Sequence, residues 1–324
     1  MLPKSRIVSV LLLGLGVALI AAGIVAPAFL NFSPRMPLDL DKTTWTLRDD
    51  DAHSQVLGPE GAQPYQGPLT YQLNMELQAP KGDDGVTVRV GESTMRGAGE
   101  GLSDLDNAKV WSFDMDRLTG ASIGNLRLSD TLASPAIEIP LDGYWLKFPA
   151  DAEQTNYPVF DPTLRKPVDA VFQEEVEMQG RTVYRYHQEI EPTNVATLYA
   201  ANGTTTTTFQ NEDGSTEQGY LYHSGWRDYF VDQATGMLIG LYVNIDDYYA
   251  DRTGFGREQA FVFDGRTSEE DEAAFLSQAD SFPRPAWAEG LRWASIGLGS
   301  VLVLIGIAGA LGVFGRRGSS GRKK

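Results

Sequence analysis

The sequence predicts a mainly β (α+β) fold, in which an antiparallel β-rich domain lies outside the cytoplasm between two transmembrane helices. Two apolar runs without any charge, at 7–30 and 293–314, are each long enough to cross a bilayer as a helix. Between them, short segments alternate apolar and polar residues, as half-buried strands do. Only one segment of this middle region has helical character.

The first apolar run is 24 residues long. As a helix at ~1.5 Å per residue it would measure ~36 Å, against ~30 Å for the hydrocarbon core of a bilayer. The apolar part of a cleavable signal peptide is shorter, at about 7–15 residues. Small residues at 26–28 resemble a cleavage site, but the length favours a retained membrane helix.

Basic residues flank both apolar runs on their terminal sides. Lys4 and Arg6 precede the first run, and arginines and lysines follow the second. Short cationic flanks stay on the cytoplasmic side of a membrane. We therefore expect a two-pass protein of the plasma membrane with cytoplasmic tails at 1–6 and 315–324. Residues 31–292 would form the extracytoplasmic domain.

Small residues four apart occur in both apolar runs, and such residues let membrane helices approach closely. In the first run they form an unbroken ridge of Gly14, Ala18, Ala22 and Ala26, and the second run has similar pairs. These ridges predict that the two helices pack on each other. The alternative is that glycine and alanine are simply common in membrane helices.

Alternation and turn residues predict the strands of the middle region. They fall at 43–47, 69–77, 86–90, 109–115, 171–190 (two strands about a Gln179-Gly180 turn), 220–222, 228–232, 237–246 and 261–263. Residues 135–149 are expected to be extended, and the threonine run at 204–208 is either a strand or an exposed loop. A polar, turn-rich stretch at 49–61 and a loop at 97–107 interrupt them. The single helix is predicted at 267–278, with Thr267 or Ser268 as its N-cap and acidic residues in its first turn.

A nine-residue pattern, D-x-x-T-G-x-x-I-G, occurs at Asp116 and again at Asp232, each time after an aromatic strand. Asp, Thr and Gly at this spacing are typical of the turn of a β-hairpin. One interpretation is a duplication that produced two similar curled-sheet subdomains, at 31–150 and 151–292. The other is that the same turn chemistry arose twice.

Motifs for catalysis are weak in this sequence. Residues 120–124 read G-x-S-x-G, but a nucleophile elbow needs a strand, a sharp turn and then a helix. Here Ser122 falls in the return strand of the predicted hairpin. His53, His187 and His223 have no metal-ligand spacing and are expected at the surface or in packing. We therefore predict no enzyme activity, no metal site and no cofactor, with a serine hydrolase as a minor alternative.

The charge and the cysteine count exclude other classes. The formal net charge is −16, and removing the seven cations of the two tails leaves −23 for the middle region, which repels nucleic acid. The chain has no cysteine, so it forms no disulfide. Asp114 and Asp116 begin like a calcium loop, but Asn125 stands where an EF-hand needs glutamate. Calcium on the acidic surface and a merely solvated surface both stay open.

Aromatic residues are frequent on the predicted strands. They would either pack the core or line an apolar cavity that suits an acyl chain, with aromatic rims for sugars. The candidate ligand-binding residues are Trp111, Tyr144, Trp145, Phe148, Tyr184, Tyr186, Trp226 and Tyr229.

Three stretches carry a resemblance to a known family: 143–149 (GYWLKFP), 156–163 (NYPVFDPT) and 174–186 (EEVEMQGRTVYRY). With the two-helix layout and the turn that begins at Val231, they resemble the actinobacterial membrane proteins of the porin PorA family over essentially the whole chain. The resemblance implies a high-GC Gram-positive host and a role in envelope lipoglycan (lipomannan and lipoarabinomannan) biosynthesis, with a lipid-binding outer domain. It carries no catalytic residue over.

A pore or channel is a less favoured function, because membrane barrels use strands of about 9–11 residues and no long apolar helix. We expect instead a protein that binds or transfers a lipid or lipid-linked glycan during cell-envelope biogenesis. Its partners would be membrane lipids and membrane proteins of envelope biosynthesis. The alternative is a non-catalytic scaffold for envelope-assembly enzymes.

Overall fold

A computed structural model describes residues 4–29, 35–58, 61–82, 84–97, 101–130, 135–211, 213–282 and 286–311. These residues form two compact units. One unit contains the two long terminal helices, and the other is the β-domain within residues 34–283.

The helices are α1 (Lys4–Phe29), α2 (Glu269–Ala279) and α3 (Ala286–Ala310). The strands are β1 (Thr44–Gly58), β2 (Gly61–Lys81), β3 (Gly85–Arg96), β4 (Leu105–Asp116), β5 (Ser122–Ser129), β6 (Ile137–Pro140), β7 (Tyr157–Asp161), β8 (Lys166–Met178), β9 (Arg181–Asn194), β10 (Thr205–Gln210), β11 (Thr216–Asp232), β12 (Leu238–Ala250) and β13 (Gly256–Thr267).

The two terminal helices contain apolar stretches of membrane length, Val8–Val25 and Gly290–Ala310. Most of their side chains are exposed, as they would be towards lipid. Length and composition make them compatible with a two-pass membrane protein. The cytoplasmic placement of both tails stays a prediction.

α1 and α3 pack on each other through glycines. A Cβ atom added to Gly16 would lie 2.7 Å from the carbonyl oxygen of Gly299, and one added to Gly306 would lie 2.8 Å from the backbone nitrogen of Leu13. Gly23 also meets α3. Any larger residue at these positions would force the helices apart, so the predicted pairing of the two helices is confirmed.

The predicted contact face of α1 is wrong. Gly14 has nothing within 4 Å of an added Cβ, and Gly14, Ala18 and Ala22 are exposed. The side chain of Ala26 lies outside the described residues. The α1 glycines that contact α3, Gly16 and Gly23, are seven residues apart, which is close to two full turns, so they lie on one side of the helix. The predicted ridge lies on a different side.

One antiparallel sheet contains the strands of the β-domain. Its order is β6-β5-β4-β3-β2-β1-β13-β12-β11-β9-β8-β7, with β10 paired to the first part of β11. The sheet curls round one main core, but its ladder is not closed between β6 and β7. Tyr144 lies between these two ends and forms isolated bridges to Ala121 and Val159.

The two halves of the sheet follow the same plan. β1 to β6 form one meander, and β7, β8, β9, β11, β12 and β13 form the other, with β10 added to the second. The turns at Asp116 and Asp232 join the fourth and fifth strands of each set. This agrees with two similar curled sheets produced by duplication. The boundary predicted between residues 150 and 151 stays a prediction.

The stretch predicted as turn-rich at 49–61 is largely strand. β1 continues to Gly58 and pairs with β2 along this length. A bulge between Asp49 and Ala52 takes up the run of aspartates, whose side chains are at least partly exposed. Three consecutive acids hide the alternation that would identify a strand, whereas a bulge accommodates them.

α2 packs on the core and ends the β-domain. Ser268 caps it by accepting a hydrogen bond from the backbone nitrogen of Asp271, as predicted. Its Phe275 ring stacks on Trp45 with centroids 4.8 Å apart. The amide of Gln278 accepts from the backbone nitrogen of Lys42 (2.6 Å) and donates to the carbonyl oxygen of the same residue (2.7 Å). The two ends of the β-domain are therefore fastened to each other.

Candidate functional site

Seven of the eight candidate aromatic residues meet in the main core. Five of them are buried, and Tyr144 and Tyr184 pack against these from partly buried positions. The rings contact one another: Trp111 and Trp145 lie 5.6 Å apart between centroids, and Phe148 lies 5.2 Å from Tyr186. The five buried residues are Trp111, Trp145, Phe148, Tyr186 and Tyr229. Their rings fill the inside of the curled sheet, and a ligand-binding role for them stays a prediction.

The eighth candidate, Trp226, lies apart from this core. It is partly exposed on β11 and contacts the rings of Tyr242 and His187. The sequence pattern could not separate it from the other seven, because β11 carries aromatic residues at adjacent positions and so on both of its sides.

Lys147 is buried at the junction of the two halves. Its Nζ donates to the carbonyl oxygens of Phe148 (2.9 Å), Thr235 (3.2 Å) and Leu118 (3.3 Å). Leu118 and Thr235 belong to the two D-x-x-T-G turns. One ammonium group therefore joins both repeated turns to the segment that connects the halves.

The two turns have the same internal hydrogen bonds. The carboxylate of Asp116 accepts from the backbone nitrogen (2.7 Å) and hydroxyl (3.0 Å) of Thr119. Asp232 binds Thr235 in the same way, at 3.0 Å and 2.6 Å. The glycine that follows has a positive φ in both turns, +76° in the first and +69° in the second. The predicted glycine-bearing hairpin, used twice, is confirmed.

Both turn glycines lie against the connecting segment. An added Cβ on Gly120 would be 2.7 Å from the carbonyl oxygen of Lys147, and one on Gly236 would be 2.1 Å from that of Phe148. Glycine is therefore needed in this pattern for two reasons. The turn requires a positive φ, and only glycine leaves room for the segment that joins the halves.

A second polar cluster is buried where β7, β11 and β12 meet. His223 is fully buried, with Nδ1 2.6 Å from Asp247 Oδ1 and Nε2 3.2 Å from Asp161 Oδ2. Arg227 donates to the same Asp161 oxygen. The other oxygen of Asp161 accepts from the backbone nitrogen of Leu164 at 2.6 Å. Two cations and two carboxylates compensate one another in a cluster whose side chains are at most 10% exposed.

The charges of this cluster shift each other's titration. Burial alone would raise the pKa of Asp161, but Arg227 and His223 hold it well below its usual range. Burial alone would lower the pKa of His223, but Asp247 and Asp161 raise it to about 9. The sequence predicted His223 at the surface or in packing, and the cluster was missed. The one sign of the cluster in the sequence is that His223 and Arg227 fall on the same set of alternate positions of β11 as buried core residues such as Tyr229 and Val231.

Lys147 titrates in the opposite sense. Burial lowers the pKa of its ammonium to about 7, and Asp116 only partly offsets this effect. Between pH 7 and 9 the folded protein holds a proton at His223 that the unfolded chain loses, so this group makes stability fall as pH rises. At Lys147 the unfolded chain holds the extra proton, so this group makes stability rise over the same range.

Replacing Lys147 by methionine is expected to make the free energy of unfolding fall more steeply from pH 7 to pH 9 than in the wild type. The variant keeps the contribution of His223 and loses the opposing one. Urea unfolding of the full chain in detergent across this pH range measures the slope. Lys166→Met, at an exposed lysine, should keep the wild-type slope, and an equal slope in both variants would contradict the assignment.

Ser122 lies at the start of β5, the return strand, as predicted, and its hydroxyl donates to the carbonyl oxygens of Leu141 (2.8 Å) and Gly143 (3.2 Å). Among the residues that the structure describes, no group of three or more His, Cys, Asp or Glu side chains could hold a metal ion.

Two open pockets lie within the described part of the β-domain. One has a volume of ≈ 300 Å³ and is lined by Arg48, Asp49, Asp50, Pro68, Leu69, Thr70 and Gly97. The other has a volume of ≈ 380 Å³ and is lined by Asp246, Tyr248, Gly256, Arg257, Glu258 and Gln259. Charged residues contribute to both linings, beside Pro68 and Leu69 in the first and Tyr248 in the second.

The family model described as Porin PorA matches residues 8–308, which span both long helices and the whole β-domain. No curated protein matches the chain.

Proposed function

The chain belongs to the porin PorA family, and from this premise we propose that it is a membrane-anchored protein that binds a lipid-linked glycan outside the cytoplasm during cell-envelope biogenesis. In this proposal the protein binds and does not catalyse. The two paired apolar helices support the anchoring, and the basic tails support an outward-facing β-domain.

The observation that carries the proposal is the filled interior of the β-domain. The largest fully buried side chains include Trp45, Trp111, Tyr186 and Phe160, which pack against one another or their neighbours inside the curled sheet. This packing supports a ligand whose acyl chain lies outside the main core. We therefore propose that the lipid part of the ligand stays in the bilayer and that the β-domain holds the polar, glycan part.

A pore does not fit this arrangement. The inside of the sheet is occupied by aromatic side chains, and the ladder is not closed between β6 and β7. A channel needs a continuous polar passage, as the large membrane barrels have.

A scaffold for envelope-assembly enzymes is the second candidate, and an edge of the sheet favours it. β7 pairs only with residues 166–170 of β8. Residues 171–178 pair with β9 on one side, and on their other side they have no strand partner in the described part of the chain. Glu174, Glu175 and Glu177 lie there, and charges of this kind discourage indiscriminate strand pairing. A specific partner with basic residues could still bind this edge.

Native mass spectrometry of the full chain, released from detergent micelles, separates the two functions. A co-purifying glycolipid supports the binding protein. A stable protein partner without bound lipid supports the scaffold. The bare chain, isolated repeatedly under conditions that retain lipids on other membrane proteins, would contradict both.

A further inference from the structure

The outward side of β11 and β12 carries a pair of aromatic rings. Along both strands the core takes alternate residues, among them Tyr229 and Val243, and the residues between them face outwards. There Trp226 and Tyr242 form an edge-to-face pair with centroids 4.7 Å apart. Both rings are only partly buried, so they present apolar area to a ligand.

A second aromatic pair lies further along the same side of the same strands. Tyr222 and Tyr248 are direct cross-strand partners and stack at 5.5 Å with 9° between their planes. Asn244 and Asp246 lie on β12 between the two pairs, and Asp246 is exposed. We call the six residues Tyr222, Trp226, Tyr242, Asn244, Asp246 and Tyr248 the outer stripe. At ~3.4 Å per residue it is ~20 Å long.

An open pocket lies at the tyrosine end of the outer stripe. It is the ≈ 380 Å³ pocket that Asp246 and Tyr248 line together with 256–259 of β13. An added Cβ on Gly256 would be 2.9 Å from the ring of Tyr248, so the β13 backbone supports this ring closely. The aromatic end of the stripe therefore borders an open, shallow pocket.

Carboxylates lie close to the outer stripe. Asp228 accepts from Arg185 (3.0 Å) and lies 2.7 Å from His187 Nδ1. The amide of Asn244 donates to Asp264 at 3.2 Å. Asp246 and Asp264 are exposed, so both can accept from further donors. Such a surface suits an uncharged ligand that can use carboxylates as hydrogen-bond acceptors.

We propose that the outer stripe binds an extended neutral oligosaccharide, with one sugar ring on Trp226 and Tyr242 and another at Tyr248. Sugar rings have flat faces of C–H groups, which stack on aromatic rings, and hydroxyl edges, which donate to groups such as Asp246. The proposal rests on the proposed function, and it names the surface that holds the glycan.

The test uses the full chain in detergent micelles with soluble probes: linear hexasaccharides of glucose, mannose and arabinose, and the matching disaccharides. Titration calorimetry is expected to show that a hexasaccharide binds the wild type and that Trp226→Ala weakens it about tenfold or more, a loss typical of an aromatic anchor. Trp226→Phe should keep most of the affinity. Tyr248→Ala should weaken the hexasaccharide but not the disaccharide, since only the longer sugar reaches both ends.

Tyr65→Ala is the matched control, because Tyr65 is a partly exposed aromatic residue on β2, away from the stripe. It should leave binding unchanged, and thermal unfolding of each variant confirms its fold. Unchanged affinity in a folded Trp226→Ala variant, or no hexasaccharide binding by the wild type, would overturn the proposal. A lysine-rich peptide that binds the wild type more tightly than the hexasaccharide, with an affinity that falls steeply with added salt, would also overturn it in favour of a basic peptide.

The failure of this site and the failure of the proposed function give different results. If Trp226→Ala still co-purifies with a glycolipid at the wild-type level, the outer stripe is wrong and the function stands. If neither protein carries a glycolipid and no saccharide binds, both are wrong.

Discussion

Replacing Asp161 by asparagine is expected to lower the free energy of unfolding by about 3–5 kcal/mol, the usual cost of breaking a buried ion pair from one side. Asp161 is fully buried and faces both Arg227 and His223. Asparagine can still accept from Leu164, but it has no charge for the two cations. Chemical unfolding of the full chain in detergent, followed by tryptophan fluorescence at pH 7, measures the loss.

The control for this prediction is an exposed ion pair of good geometry. Arg35 and Asp84 are 2.7 Å apart, with side chains 50% and 78% exposed. Asp84→Asn should cost about 0–1 kcal/mol, because water solvates the remaining arginine. A similar small loss for Asp161→Asn would show that the cluster takes up water and is not sealed.

Replacing Gly236 by alanine is expected to cost about 2–5 kcal/mol, the sum of a left-handed backbone and an overpacked contact. Its φ is +69°, and an added Cβ would lie 2.1 Å from the carbonyl oxygen of Phe148 and 2.3 Å from that of Pro149. Backbone cannot yield as a flexible side chain can. The turn or the connecting segment must move, and Lys147 would lose part of its carbonyl shell.

Gly180→Ala isolates the backbone part of that cost. Gly180 has a φ of +78° in the β8–β9 turn, and nothing lies within 4 Å of an added Cβ. It should cost about 1–2 kcal/mol, for the left-handed conformation alone. Equal losses for the two variants, measured by the same unfolding assay, would show that the contact with the connecting segment is not tight.

Elements with local sequence rules were predictable. The Ser268 cap, the Gln179-Gly180 turn and the two D-x-x-T-G turns each follow from residue types that one conformation requires. Strand periodicity identified most of the sheet. Strand order was not predictable, because the pairing of β1 with β13 joins residues more than 200 positions apart. No local pattern encodes such a contact.

The candidate site was predictable only in part. Aromatic residues on strands indicate either a core or a ligand surface, and composition cannot distinguish the two. The structure separates them by the side of the strand on which each lies, which depends on bulges such as the one between Phe172 and Glu174. The buried cluster of Asp161 and His223 was missed because charged residues on strands are ordinarily expected to face water.

The pairing of Gln278 with the backbone of Lys42 has a mechanical consequence. Two hydrogen bonds connect points 236 residues apart, at the entry and the exit of the β-domain. Met36, nearer the chain entry, also hydrogen-bonds Arg117 through its backbone nitrogen and its carbonyl oxygen. Tension from the N-terminal side therefore reaches the turn after β4 before it reaches Lys42, and the Gln278 contact acts as a second fastening behind it.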